Sequence, residues 1–197
     1  IISSGRSGTY QLYDLLSGIT NVDVEHERMF ENLLKLGVKK HHKILKTKEK
    51  NKVINEYLEM IKNSKNSIWI DISNALPWVT DDIVKKIQNN KIKIIHIIRD
   101  GRKVVSSFYN KFPEIFYKNR DVKKLKNYFY SKEKEPKLDK KFWRPLPDQY
   151  FTYSKKTSIR FQNICWYWKT ITMKSKKLIK NKKYESIEFR FEDLVNN

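Results

Sequence analysis

The run Lys93-Ile94-Ile95-His96-Ile97-Ile98 constrains the fold more than any other stretch of the chain. It is β-branched and apolar almost without interruption, which suits a strand covered on both faces. Strands of that kind belong to parallel sheets wrapped by helices. Other short apolar segments read as strands at Ile1–Ser4, Asn21–Val24, Ser67–Asp71 and Ser186–Arg190. Helical patterns fall between them at Thr9–Leu16, Glu49–Asn63, Thr80–Gln88, Arg102–Tyr109 and Ile159–Lys180. Thr80 is expected to cap its helix, with Asp81 and Asp82 in the first turn, where the helix dipole favours acids. The alternation predicts an α/β fold with a central parallel β-sheet flanked by helices.

A chain of 197 residues fits a single domain over 1–197 and can bury a core without staples. It opens inside a strand-like segment and closes at Phe191–Val195, so both ends read as trimmed, and a targeting segment can lie outside them. No run of about 18 apolar residues is present to span a membrane. The single cysteine, Cys165, excludes an internal disulfide and a cysteine-based metal site. It suits a reduced cytosol and a disulfide-free lumenal domain alike. From about 110 to 157 the α/β rhythm breaks into lysine-rich runs, Lys123-Lys124 and Lys132 to Lys141, followed by Phe142-Trp143-Arg144-Pro145. The aromatics there point to an ordered excursion covering a site rather than a linker.

Ser3-Ser4-Gly5-Arg6-Ser7-Gly8-Thr9 lies between the first strand and the first helix. Its glycines allow a tight turn with exposed N–H groups, the helix dipole behind favours an anion, and Arg6 adds a fixed charge. Ser7 and Thr9 add hydroxyls. The pattern is that of a phosphate or sulfate cradle, although ordinary strand-to-helix turns use the same residues. A Walker A loop is excluded, because the spacing and the Gly-Lys-Ser/Thr ending are missing. Arg99 emerges at the C-terminal edge of the Ile94–Ile98 strand, the usual ligand crevice of open α/β sheets. Ser107 stands two helical turns further on. Arg99 can equally cap the strand and pair with Asp100 or a distant carboxylate.

Gly5-Arg6-Ser7-Gly8-Thr9 resembles the 5′-phosphosulfate loop of the sulfotransferases that use 3′-phosphoadenosine 5′-phosphosulfate (PAPS). The segment from Ile95 through Arg99-Asp100-Gly101-Arg102 to Ser106-Ser107 is similar to the same family's 3′-phosphate motif. Trp166-Tyr167-Trp168 and the later Phe189-Arg190-Phe191-Glu192-Asp193-Leu194 resemble its tryptophan helix and Arg-Tyr-Glu-Asp-Leu strand end, with Phe191 in place of tyrosine. The resemblance covers most of the chain, but the 110–157 segment matches no such motif. It implies a P-loop NTPase-like three-layer architecture and PAPS as donor, with no metal. Gly5, Arg6, Ser7, Gly8, Thr9 and Tyr10 would grip the 5′-phosphosulfate, with Arg6 on the bridging oxygen. Arg99 and Ser107 would hold the 3′-phosphate, helped by Arg102 and Ser106.

Sulfuryl transfer to a hydroxyl needs charge stabilisation on the leaving phosphate and a group that takes the acceptor proton. Arg6 suits the first task. For the second, Glu25, His26 and Glu27 follow the second strand at the correct sheet edge, and Asp71 ends the third. The family's glycan-modifying members carry a glutamate at a similar distance after the loop, so Glu27 is preferred, with His26 and Glu25 behind it. His26-Glu27 is not a zinc motif, because Phe30 stands where the second histidine belongs. His41-His42 reads as a solvated pair, and Cys165 as a packing residue among its aromatic neighbours. Trp143, Arg144 and Tyr150 in the excursion are expected to shape the acceptor pocket.

The net charge of +20 comes from 42 basic and 22 acidic residues and suits polyanionic partners. It favours an anionic acceptor such as a carbohydrate, but scattered lysines also serve simply as a solvated face. Two other function classes remain: a nucleotide kinase or NTPase of the same fold, and a non-catalytic basic binder of polyanions. The first lacks its Walker lysine. The second lacks a motif for specific nucleic-acid recognition.

Overall fold

The computed structural model describes residues 1–87, 91–116, 122–130, 144–147, 158–181 and 184–195. The strands are β1 (Ile2–Ser3), β2 (Val22–His26), β3 (Ile68–Ile72), β4 (Lys93–Ile98) and β5 (Glu185–Arg190). The helices are α1 (Thr9–Ser17), α2 (Phe30–His41), α3 (Thr47–Lys62), α4 (Leu76–Val84), α5 (Gly101–Lys111), α6 (Val122–Tyr130), α7 (Ile159–Ile179) and the short α8 (Phe191–Val195). β2 pairs with β3, and β1 and β5 flank β4, all in parallel. A parallel bridge from Ile2 to Ser73 joins the two groups. The strand order is therefore β2-β3-β1-β4-β5.

That order places β1 where the chain's direction across the sheet reverses. From β1 the chain crosses outward through α1 to the β2 edge, and later segments lead to β4 and β5 on the other side. Crevices form at such points, outside the carboxyl ends of the strands. The loops after β1, β2, β3 and β4 all open there.

The sheet is covered on both sides, as the isoleucine-rich β4 requires. On one face Leu12 of α1 packs with Ile72 and Ile97, joined by Val24, Ile70 and Phe189. On the other, Ile164, Tyr167 and Ile171 of α7 pack with Ile2, Ile94 and the Leu33-Leu34 pair of α2. Strand alternation then assigns directions. In β2, Val24 and His26 face α1, while Glu25 faces the opposite way. In β3, Ile70 and Ile72 face α1 and Asp71 faces Tyr57 of α3, whose hydroxyl donates to Asp71 Oδ2 at 2.8 Å.

Sequence expectations need correction at α2, α4 and the histidine pair. α2 lies in a stretch given no helix above, yet Leu33, Leu34, Gly37 and Val38 form a buried stripe at helical spacing. α4 begins at Leu76 rather than near Thr80, with Pro77 in its first turn, where a missing N–H costs nothing. Thr80 is therefore an interior residue, and its hydroxyl donates back to the Leu76 carbonyl at 2.7 Å. His41-His42 is not a solvated pair. His42 is buried and its Nε2 accepts from the Leu146 N–H at 3.2 Å, while His41 Nε2 lies 3.2 Å from the Leu146 carbonyl. Leu146 packs with Val38 and Leu125, so the end of α2 clamps residues 144–147 over the fold. Lys123 and Lys124 lie exposed on α6, whereas Lys132 to Lys141, Trp143 and Tyr150 fall outside the described residues.

His96 is buried between β1 and β5, with Nδ1 2.7 Å from Glu188 Oε2. Burial lowers its pKa, opposed by the Glu188 carboxylate and reinforced by Lys176 of α7. A depressed folded-state pKa means that stability is fully present above the unfolded histidine value, roughly 6.5, and is lost as pH falls below it. The urea midpoint is expected to drop between pH 7.5 and 5.5, and to drop less in His96→Gln.

Candidate active site

The loop after β1 is wound tightly. Gly5, Arg6 and Gly8 take left-handed φ values of 76°, 56° and 78°. For Arg6 such a backbone is strained and requires the surroundings to hold it. They do so from inside: Ser3 Oγ accepts from the Gly5 N–H at 3.1 Å, and the buried Ser4 and Ser7 hydroxyls lie 3.1 Å apart. Ser7 also donates to the Gly5 carbonyl at 3.1 Å, so its hydroxyl stiffens the loop. Gly8 caps α1 without a side-chain partner, and the first intrahelical bond runs from Leu12 N to Gly8 O. The N–H groups of Thr9, Tyr10 and Gln11 thus precede the hydrogen-bonded ladder, at the positive end of the helix. Tyr10 is exposed.

Arg99 closes on this loop from β4. Its Nη1 donates to the Arg6 carbonyl at 2.8 Å, across 93 residues of sequence. Arg6 reaches back, Nε to Ser107 Oγ of α5 at 2.9 Å. Both guanidinium groups rest on aromatic rings: Arg6 lies 5.3 Å from the Phe112 centroid and Arg99 4.9 Å from that of Phe191. Among the described residues neither forms an ion pair, and Arg99 Nε is buried without a hydrogen-bond partner. An arginine with an unsatisfied buried donor, gripping the loop that carries a second arginine, gives this edge of the sheet a positive charge that suits an anion.

Asp100 does not neutralise Arg99. It caps α5 by accepting from the Arg102 N–H at 2.9 Å and pairs with the exposed Arg102 guanidinium at 2.6 Å. Those contacts hold its carboxyl down at about 2. Ser106 is exposed, accepting from Asn110 Nδ2 at 3.3 Å. Arg102 and Ser106 therefore flank the Arg6–Arg99–Ser107 cluster without joining it. Phe191 lies under Arg99 and against Gly8, where an added methyl group would overlap its ring. That packing needs a ring, which Phe191 supplies where the resemblance expects tyrosine.

The acid–base candidates separate clearly. Glu27 follows β2 in a left-handed conformation with φ 56°, and its N–H donates to the Ile72 carbonyl at 3.2 Å. Its carboxylate accepts from the side-chain amide of Asn74. Burial raises its pKa, against the pull of the Arg144 charge, a hydrogen bond from the Asn74 backbone and the Arg6 charge. Glu27 is thus held within the electrostatic reach of Arg6. His26 faces α1, its Nε2 3.3 Å from Thr9 Oγ1 and its ring edge-on to Tyr10, and burial lowers its pKa. Glu25 is engaged by Arg28 at 2.7 Å. Asp71 is buried on the other face of the sheet with Tyr57, its pKa raised by burial. Cys165 is half-buried against the core and burial pushes its thiol up.

Arg144 is 4% exposed and packs over the rings of Phe30 and Tyr167, near enough to Glu27 to lower its pKa. Residues 144–147 are held there by the Leu146 clamp. Asn74 is the residue that sequence reasoning missed. Its signal was its place just beyond β3, on the same edge as the other loops. Among the described residues no group of three or more His, Cys, Asp or Glu side chains could hold a metal ion.

A model of the sulfotransferase domain matches residues 1–196. No curated protein and no solved structure matches the chain.

Gly8→Ala is expected to cost about 1–3 kcal/mol, from strained φ and overlap with Phe191. Thermal unfolding of Gly8→Ala, Phe191→Ala and the double variant checks this. The double variant should lose less than the sum of the singles.

Proposed function

From a chain that belongs to the sulfotransferase domain family, and so to the sulfotransferases as a class, we propose a PAPS-dependent enzyme that moves a sulfuryl group to an acceptor hydroxyl. The observation that carries this reading is the convergence of Arg6, Arg99 and Ser107, two arginines without ion-pair partners among the described residues and a hydroxyl that accepts from Arg6. The residues fit a donor with two anionic ends. The N–H groups of Gly8, Thr9 and Tyr10, with Arg6, would hold the 5′-phosphosulfate, on a loop that Gly5 and Ser7 keep wound. Arg99 would hold the 3′-phosphate with guanidinium N–H groups that its bond to the Arg6 carbonyl does not use. Ser107 accepts from Arg6 and keeps its own O–H to donate to a phosphate oxygen. Arg102, tied to Asp100, contributes charge to the rim.

In the proposed reaction the acceptor oxygen bonds to sulfur as the bond from sulfur to the bridging phosphate oxygen breaks. The electron pair of that bond goes to the phosphate, where Arg6 and the helix N-terminus stabilise it. The acceptor proton goes to the Glu27 carboxylate. His26, on Thr9, keeps the N-terminal turn of α1 in place. Arg144 and the basic surface favour an anionic hydroxyl compound, and carbohydrate is the class we propose for the acceptor.

The test is transfer of labelled sulfate from PAPS across a panel of carbohydrate acceptors, with release to water as baseline. Arg6→Ala should lower kcat by about 10²–10³, the loss typical of a charge-stabilising donor. Glu27→Gln should lower it by about 10²–10⁴. In the wild type kcat/KM should rise with pH through the Glu27 ionisation, above the ordinary glutamate value of 4.5, because burial favours the neutral acid. Wild-type turnover by Glu27→Gln at every pH would remove Glu27 from the reaction.

A further inference from the structure

Asn74 touches both halves of the site. Its Nδ2 donates to Glu27 Oε1, and a methyl group added at Gly5 would lie 3.3 Å from that same nitrogen. The side chain is 7% exposed, and its Oδ1 is buried with no hydrogen-bond partner among the described residues. An amide buried with part of its polar capacity unmet costs free energy, and the bond to Glu27 offsets part of that cost.

Both ends of that bond rest on the end of β3. Glu27 is fixed through its N–H to Ile72, and Ser73 N donates to the Ile1 carbonyl at 3.1 Å. Ser73 Oγ also accepts from the Ala75 N–H at 3.2 Å, closing the turn around Asn74. The geometry leaves the amide little freedom except to span from the Arg6 loop to the carboxylate.

We infer that Asn74 is a positioning residue for proton transfer, tying Glu27 to one rotamer at a set distance from the Gly5–Arg6 loop. The inference rests on Glu27 being the base. One carboxylate oxygen is occupied by the amide, and the remaining lone pairs stay available for the acceptor proton. A neutral donor suits the place. A side-chain donor on the carboxylate favours its ionised form without the competing charge of a lysine, and it adds to the Asn74 backbone N–H, which opposes the burial that pushes the Glu27 pKa up. Leucine there would leave a buried carboxylate without its side-chain donor. Aspartate would set an acceptor and a like charge against it.

The pH profile of kcat, measured on the full chain with labelled PAPS and release to water or the best acceptor, tests the role. Asn74→Ala should lower kcat about tenfold at neutral pH, move the acid limb to higher pH, and recover part of the loss in more alkaline buffer. Asn74→Asp, of nearly the same volume, should move the limb further. Binding of 3′,5′-bisphosphoadenosine to both should stay within about twofold of wild type. Carbon NMR of glutamate-labelled chain, with the Glu27 signal assigned by its loss in Glu27→Gln, should show the carboxyl titrating at higher pH in both variants. A pH-independent fall in kcat with an unmoved Glu27 titration would mark Asn74 as merely structural and overturn the inference. Should Asn74→Ala fail to fold, Asn74→Asp decides by the same readouts. Full activity in Glu27→Gln would instead overturn the base assignment and take this inference with it. Inactive Glu27→Gln beside an unmoved limb in both Asn74 variants would overturn the inference alone.

Discussion

The hydrogen bond from the Arg99 side chain to the Arg6 carbonyl joins the two loops on which the candidate site depends. It forms because β1 and β4 are neighbours in a parallel sheet, so their following loops open at the same edge. The bond also explains how a non-glycine residue is held at a left-handed φ of 56°. Arg6 is pinned by its carbonyl on one side and by Ser107 through its side chain on the other. Phe112 and Phe191 supply flat apolar seats for the two guanidinium groups. The outcome is concentrated positive charge with little local compensation. A fold tolerates that where an anion completes it.

The opposite wall of the crevice is built from contacts between residues far apart in sequence. The Leu146 backbone is gripped by His41 and His42, and Arg144, two residues earlier, lies over Phe30 and Tyr167. Glu27 feels both the Arg144 and the Arg6 charge, is buried enough to raise its pKa, and is held by Asn74. Opposing influences of this kind bring a carboxyl nearer to the range useful for proton transfer.

How much of this was legible in the sequence depends on whether the signal was local. The β4 run declares its own burial, and from a buried parallel strand follow the sheet, its edge and the place of Arg99. The Gly5–Gly8 loop likewise carries its turn chemistry in adjacent residues. The α2 stretch is given no helix in the sequence reading, although Leu33, Leu34, Gly37 and Val38 have helical spacing; Gly37 packs closely on Trp78 and His42 clamps the Leu146 backbone. Thr80 looked like a cap because its hydroxyl and the acids after it fit one, but Pro77 starts the helix earlier. The Asn74–Glu27 bond spans 47 residues and depends on strand register, which no local pattern encodes. The same holds for Asp71: only the β2–β3 pairing sets it beside Glu25 and within reach of the Glu27 charge, while Tyr57 of α3 donates to its carboxylate.

The central claim is that the Arg6 and Arg99 loops form one site for a nucleotide bearing a 3′-phosphate. Calorimetric titration of the wild-type chain with 3′,5′-bisphosphoadenosine, alongside ATP with Mg²⁺, tests it most directly. The account predicts saturable binding of the bisphosphate at one site per chain, with ATP unable to displace it. Preference for ATP, or no binding of either nucleotide, would contradict it.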